Sequence, residues 1–303
     1  MNFKVLTPDT VKAGSHLILQ YGPPKVGKSI ASCTISEKCP AALPAAAPTT
    51  LDDVLIINYD KDGASSFHNV NLYPLYQDFF GKYDLDTFVD PELPEAEQQL
   101  KRVSIKKQGE KNVKQMETDL LAVVSEAAKQ PQIKYIVIDT LSSYEDLYKH
   151  NFDPFDSLTP MELGAGTYQK FVGLASQLVS IKDKTIIVLA HAQYSEPINM
   201  GKGAEARAEI DRINEMKRQA SAIGGDSSTR VMPSLQKKAC AIYAKHATLY
   251  LCVDRETTGP HKGKRVFLTR PQDGCEAGNK IENGILPKEP ANLRAILKKA
   301  NLI

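Results

Sequence analysis

Residues 22–29 read GPPKVGKS, which has the form G-x-x-x-x-G-K-[ST], directly after the apolar run HLILQY. A strand that ends in a tight loop and opens into a helix aims several backbone N–H groups, and the positive end of the helix dipole, at one point. A polyphosphate fits there. Gly22 and Gly27 supply backbone freedom and let the chain approach phosphates without a Cβ in the way. Lys28 is placed to reach β- and γ-phosphates, and Ser29 to ligate Mg²⁺. Pro23 and Pro24 each lack an N–H, but they precede Val26 to Ser29, whose amides do most of the cradling. With Lys25 and Ile30, the expected nucleotide-binding set is residues 22–30. The alternative is a Gly/Pro turn with an incidental lysine.

A loop of this kind needs a carboxylate for the magnesium shell, ordinarily an aspartate ending an apolar strand, and YIVIDT offers Asp139. Buried without a cation such a charge is costly, so its position argues for a partner; a plain strand-end cap is the alternative. Hydrolysis also requires a group that activates water. INYDKDGA places Asp60 and Asp62 at the carboxyl edge of a sheet, where open α/β folds bind ligands. Asp62 lies two residues beyond the strand and is the favoured activator. Asp60, closer to the sheet, is the alternative or a loop-ordering residue. TIIVLAHAQY brings His191 and Gln193 to the same edge, as sensors of the γ-phosphate. The plainer readings are a satisfied core histidine and a glutamine that starts a loop.

The elements that position these groups are apolar runs with strand character at 16–21, 54–59, 135–139, 185–191, 247–253 and 265–269. Helical stretches separate them, and the alternation predicts a mostly parallel α/β sheet. The first helix is expected from Lys28 to about Glu37. The chain has 303 residues, 42% of them hydrophobic, enough for one large core or two modest ones. It has no run of 18 apolar residues and no signal-peptide layout at MNFKVLTPDT, so a cytosolic protein without membrane association is expected. Five cysteines show no ligand spacing and are expected as free thiols, several buried.

The expected organisation is one domain, with a core at about 14–70 and 115–253 and C-terminal strands and helix at 254–303. Two segments exceed a minimal α/β connection. The first, 71–114, is aromatic-rich and then basic. Its rings are read as a satellite core rather than a base-stacking platform, and its LKRVSIKKQGEKNVK as a solvated face. The second, 194–238, holds AEARAEIDRINEMKRQA and SAIGGDSSTR. The net charge of +2 is too small to imply nucleic acid by itself, so any such surface must be local.

GPPKVGKS, INYDKDGA, IDTLSSY and VLAHAQ together resemble the core of RecA-like P-loop ATPases. They are most similar to compact phage-encoded members that act in single-strand annealing and recombination. LYLCVDRETTG, KRVFLTR and AGNKIENGILP resemble the late strands and tail of those proteins. The resemblance spans about two-thirds of the chain and leaves both insertions unexplained. It implies that Gly22, Gly27, Lys28 and Ser29 bind ATP and that Asp139 serves Mg²⁺. It also implies an acidic water activator at Asp60 to Asp62, and His191 or Gln193 as sensor. The usual glutamate at the second strand is replaced by aspartates, whose shorter reach is compatible with slow turnover.

The same resemblance places contacts to single-stranded DNA after the sensor strand, with Lys202, Arg207, Arg212, Lys217, Arg218 and Arg230 as candidates. An exposed helix with internal ion pairs is the alternative. It further implies a homo-oligomer, ring or filament, in which Lys264, Arg265, Arg270 or Lys280 reaches a neighbour's site. A single-strand-binding protein is a possible further partner. The resulting expectation is an ATPase acting on single-stranded DNA in phage recombination or replication. Its rivals are a P-loop ATPase acting on a protein, such as a helicase loader or packaging motor, and a nucleotide-gated annealing module with little hydrolysis.

Overall fold

The computed structural model describes residues 16–39, 49–61, 70–71, 76–181, 184–194, 231–256, 262–271, 275–279, 284–300 and 302–303. The elements run β1 (Leu17–Gly22), α1 (Lys28–Cys33), β2 (Thr49–Thr50), β3 (Val54–Asn58), β4 (Val70–Asn71), β5 (Tyr76–Asp78), α2 (Phe80–Tyr83) and α3 (Glu95–Lys129). They continue with β6 (Tyr135–Asp139), α4 (Leu141–Phe152), α5 (Pro160–Leu178), β7 (Thr185–Tyr194), β8 (Val231–Pro233) and α6 (Lys237–His246). The chain closes with β9 (Leu249–Arg255), β10 (Arg265–Leu268), β11 (Gly278–Asn279), β12 (Lys288–Pro290) and α7 (Leu293–Lys299).

The main sheet has the order β12-β10-β9-β1-β7-β6-β3-β5, with β8 against the end of β7 and β11 against β9. Strands β9, β1, β7, β6, β3 and β5 are parallel. Strands β10 and β12 extend the β9 side in antiparallel fashion. The expected α/β architecture with a mostly parallel sheet flanked by helices is therefore the one observed. Parallel strands are buried on both faces, which is why they read in the sequence as continuous apolar runs rather than alternating ones.

Alternate residues divide the core. Leu17, Leu19, Tyr21, Ile136, Ile138, Ile186 and Val188 face a layer built by α3, α4, α5 and α6. Ile18, Val137, Ile187, Leu189, Leu249 and Leu251 face α1 and α7. No described helix is long and apolar enough to cross a membrane. The five cysteines are thiols, four of them buried and Cys275 half-buried.

Two elements differ from expectation. Helix α1 stops at Cys33 rather than near Glu37. The Ser32 hydroxyl donates to Ser29 O and that of Thr34 to Ala31 O, each at 2.6 Å. Such side chains compete with the helical ladder, and the next amides fall into i→i−3 bonds, Thr34 to Ala31 and Ile35 to Ser32. The first expected insertion is largely helix: α3 is 35 residues long and carries the whole basic window. Its Ile105, Gly109, Asn112 and Val113 are buried, and from Met116 onward it enters the core. Gly109 is needed where α3 crosses α4, because a Cβ there would collide with Asn151 O. Phe79 and Tyr83, expected in a satellite cluster, join the main core with Tyr59. The basic residues of the window are mostly exposed, Lys101 over the Phe88 ring and Arg102 over Phe155.

One buried charge links the helical layer to the sheet's edge. Glu145 of α4 is 3% exposed, accepts from Gln236 N at 2.8 Å, and has Lys149 Nζ at 3.9 Å. Burial raises its pKa to about 7. A carboxyl raised on folding contributes stability that is complete below its unfolded value and is lost as pH rises through the folded one. Glu145→Gln keeps the acceptor and removes the charge. It is expected to be close to neutral at pH 5 and stabilising at pH 8, by on the order of 3 kcal/mol at most. Thermal unfolding of both proteins at the two pH values checks this; an equal gap at both would show that the group does not titrate on folding.

Candidate functional site

Lys28 is the centre of the site. The loop leaves β1 at Gly22, turns through Lys25 at φ 59° and Gly27 at φ 90°, and enters α1. Gly22 packs so closely on β9 that a Cβ would lie 2.5 Å from Val253 O. Gly27 requires its positive φ, and a Cβ there would lie 2.9 Å from Cζ and 3.0 Å from Cδ of Arg265. With the loop so confined, the Lys28 side chain folds back under it and donates to Gly22 O at 3.1 Å and Pro23 O at 3.0 Å. Burial lowers its pKa, and the nearby charges of Asp139 and Asp60 oppose that shift. Gln20, fully buried within β1, donates to Lys28 O at 2.8 Å and fixes the start of the helix.

Asp139 ends β6 at 1% exposure, and its Oδ2 is buried with no hydrogen-bond partner among the described residues. Burial raises its pKa to about 6, while a hydrogen bond to Ser29 and the Lys28 charge pull the other way. A carboxylate oxygen left unsatisfied beside a hydroxyl and an ammonium is suited to a small divalent cation. Ser29 and Asp139 are the residues that could hold one. No cluster of three or more His, Cys, Asp or Glu is found among the described residues. Mg²⁺ does not need one, since it takes one or two carboxylates and completes its shell with phosphate and water.

Asp60 and His191 close the site from the neighbouring strands. His191 sits on β7 opposite Gly22. Its Nε2 lies 3.7 Å from Asp60 Oδ2 and 3.3 Å from the hydroxyls of Thr140 and Ser143. Burial and the Lys28 charge lower the imidazole's pKa, so it is neutral at pH 7. It is thus not a satisfied core histidine: the ring is half-buried among polar groups, and its Nδ1 has no partner among the described residues.

Two positioning residues escaped the sequence reading. Buried Asn58 donates to Asp60 O at 3.0 Å, accepts from Asp60 N at 3.2 Å, and so shapes the turn that presents Asp60. Gln20 is the other. Each is a lone polar residue in an apolar strand, and that is the signal which marks them.

The other expected residues fall in four places. Gln193 is exposed, on the same face of β7 as His191. Asp62, the favoured water activator, lies outside the described residues, as do Lys202, Arg207, Arg212, Lys217, Arg218, Arg230 and Lys280. Lys264 and Arg270 are exposed. Arg265, one of the four candidates for a neighbour's site, lies against Gly27 of its own chain, because β10 pairs with β9 directly beside the loop. No protein-family model matches the chain, and no curated protein matches it significantly.

Gly27→Ala meets both a strained φ and the Arg265 side chain. It is expected to destabilise the protein by roughly 1–3 kcal/mol in thermal unfolding without added ligand. A wild-type melting temperature would show that neither constraint holds.

Proposed function

We propose that the chain is a Mg²⁺-dependent ATPase with a RecA-like core that works on single-stranded DNA as an oligomer, in phage recombination or replication. The observation that carries the reading is the convergence of Lys28, Asp139, Asp60 and His191 at the carboxyl edge of four adjacent parallel strands, β1, β6, β3 and β7. The strand bearing His191 stands between the loop strand and the Asp139 strand, which supports a role for the imidazole at the end of the nucleotide that would change.

In this reading the amides of Val26 to Ser29 and the Lys28 ammonium bind the phosphates. Ser29 and Asp139 would hold Mg²⁺, which when bound neutralises charge on the phosphate oxygens. Asp60, fixed by Asn58, accepts the proton of the attacking water. Neutral His191 donates to the terminal phosphate and loses that partner after cleavage.

The link to DNA rests on the attachment of the segment beyond β7. Ser234 N donates to His191 O at 2.7 Å, the Ser142 hydroxyl to Ser234 O at 2.7 Å, and His191 N to Ser142 Oγ at 2.9 Å. These bonds tie Ser234, just after β8, to His191; in sequence the candidate DNA cations lie between β7 and β8. A shift of His191 would therefore be felt at Ser234.

ATP hydrolysis by the purified protein with and without single-stranded DNA, at two salt concentrations, tests the reading. Stimulation that fades as salt rises is expected. Lys28→Ala is expected to abolish nucleotide binding, and Asp60→Asn to lower kcat by about 10²- to 10⁴-fold with ADP affinity retained. Hydrolysis indifferent to DNA would favour a protein substrate. Wild-type protein that binds neither ATP nor ADP would overturn the reading.

A further inference from the structure

Arg265 opens β10 directly opposite Arg255 of β9 in antiparallel register. Like charges opposite one another in a sheet repel, and here neither guanidinium has an ion pair among the described residues. The nearby carboxylate of Glu256 is paired with Lys288 at 3.1 Å. Arg265 Nε is buried with no acceptor among the described residues. Its side chain lies flat on the phosphate loop, within 3.0 Å of the space a Gly27 Cβ would take. A half-buried guanidinium against a loop of this kind, next to a second arginine and without a counter-ion among the described residues, is arranged for an anion, which it can engage through a planar fork of donors.

The sheet order says which part of the ligand it faces. Strand β1 separates β9 and β10 from β7, β6 and β3. Arg265 therefore stands on the flank of the loop away from Asp139, Asp60 and His191, where bond cleavage would occur.

We propose that Arg265 is a nucleotide-binding residue acting in cis, at the end of the phosphate cradle remote from the transferred phosphate, and that it engages the part common to di- and triphosphates. This rests on the nucleotide-binding reading above and departs from the trans role for which Arg265 is one of four candidates. A trans-acting arginine would touch the γ-phosphate and leave ADP affinity alone. A cis residue on this flank engages both nucleotides alike.

Titration calorimetry of the full-length chain with MgADP and MgATP decides the matter, using wild type, Arg265→Ala, Arg265→Lys and Lys28→Ala. Arg265→Ala is expected to weaken both nucleotides by a similar factor of about ten or more. Arg265→Lys should recover part of the loss, and the unliganded alanine variant should melt no lower than wild type, since a cation repulsion is removed. If the alanine variant melts lower, Arg265→Gln, which keeps a planar polar end, carries the same test.

Unchanged affinity for both nucleotides, with Lys28→Ala still abolishing binding, overturns the proposal and leaves the nucleotide reading standing. A loss confined to ATP, or hydrolysis restored on mixing Arg265→Ala with Lys28→Ala subunits, also overturns it, in favour of a trans role. A wild-type protein that binds neither nucleotide removes the nucleotide reading and this proposal together.

Discussion

A buried ammonium organises this molecule. Lys28 is 6% exposed at the start of α1, just beyond the loop that follows β1, and a cation in that position has to be compensated. Two carbonyls of the loop, Gly22 O and Pro23 O, accept its hydrogen bonds, which requires the loop to close tightly over it. The charges of Asp139 and Asp60 come from the ends of β6 and β3. Those strands reach the same edge because the sheet is parallel. Loop geometry, strand direction and acidic strand ends are thus parts of one electrostatic arrangement.

The arrangement is incomplete in a way that is chemically informative. Asp139 Oδ2, His191 Nδ1 and Arg265 Nε are buried polar atoms without partners among the described residues, and all three line the loop region. Native interiors contain few such atoms. With Gln20 Oε1 of β1 these three are four of the six such atoms among the described residues, the others being His16 Nε2 and the Tyr59 hydroxyl oxygen, so unmet hydrogen bonds gather beside this loop. The helical layer pairs many of its polar groups, although the Tyr59 hydroxyl buried in it has no partner among the described residues. Asn112 and Asn151 bond each other at 2.7 Å beneath the α3–α4 crossing, and Thr159 and Glu162 close a reciprocal cap on α5.

The helical layer gives the site its support and its route outward. Helix α4 is capped by Thr140, next to Asp139, and its first turn carries Ser142 and Ser143, which touch the backbone and ring of His191. Glu145, one turn on, holds Gln236, the residue that caps α6. A displacement at His191 is thereby coupled through α4 to β8 and α6 by packed, hydrogen-bonded contacts.

The sequence alone determined the loop, the strands that bear the acidic and imidazole groups, and the α/β class. Each rests on short-range physics: glycine spacing, apolar run length, and polar residues placed at strand ends. Residues such as Gln20 and Asn58 stood out only as polar interruptions, since their roles depend on what lies across from them. The early end of α1 and the run of α3 through a basic window were decided by hydroxyl competition and by packing on α4, which local propensity does not contain. The side of the loop on which Arg265 falls was decided wholly by tertiary structure. It results from β10 pairing with β9, a contact between segments whose proximity to the loop no local pattern encodes.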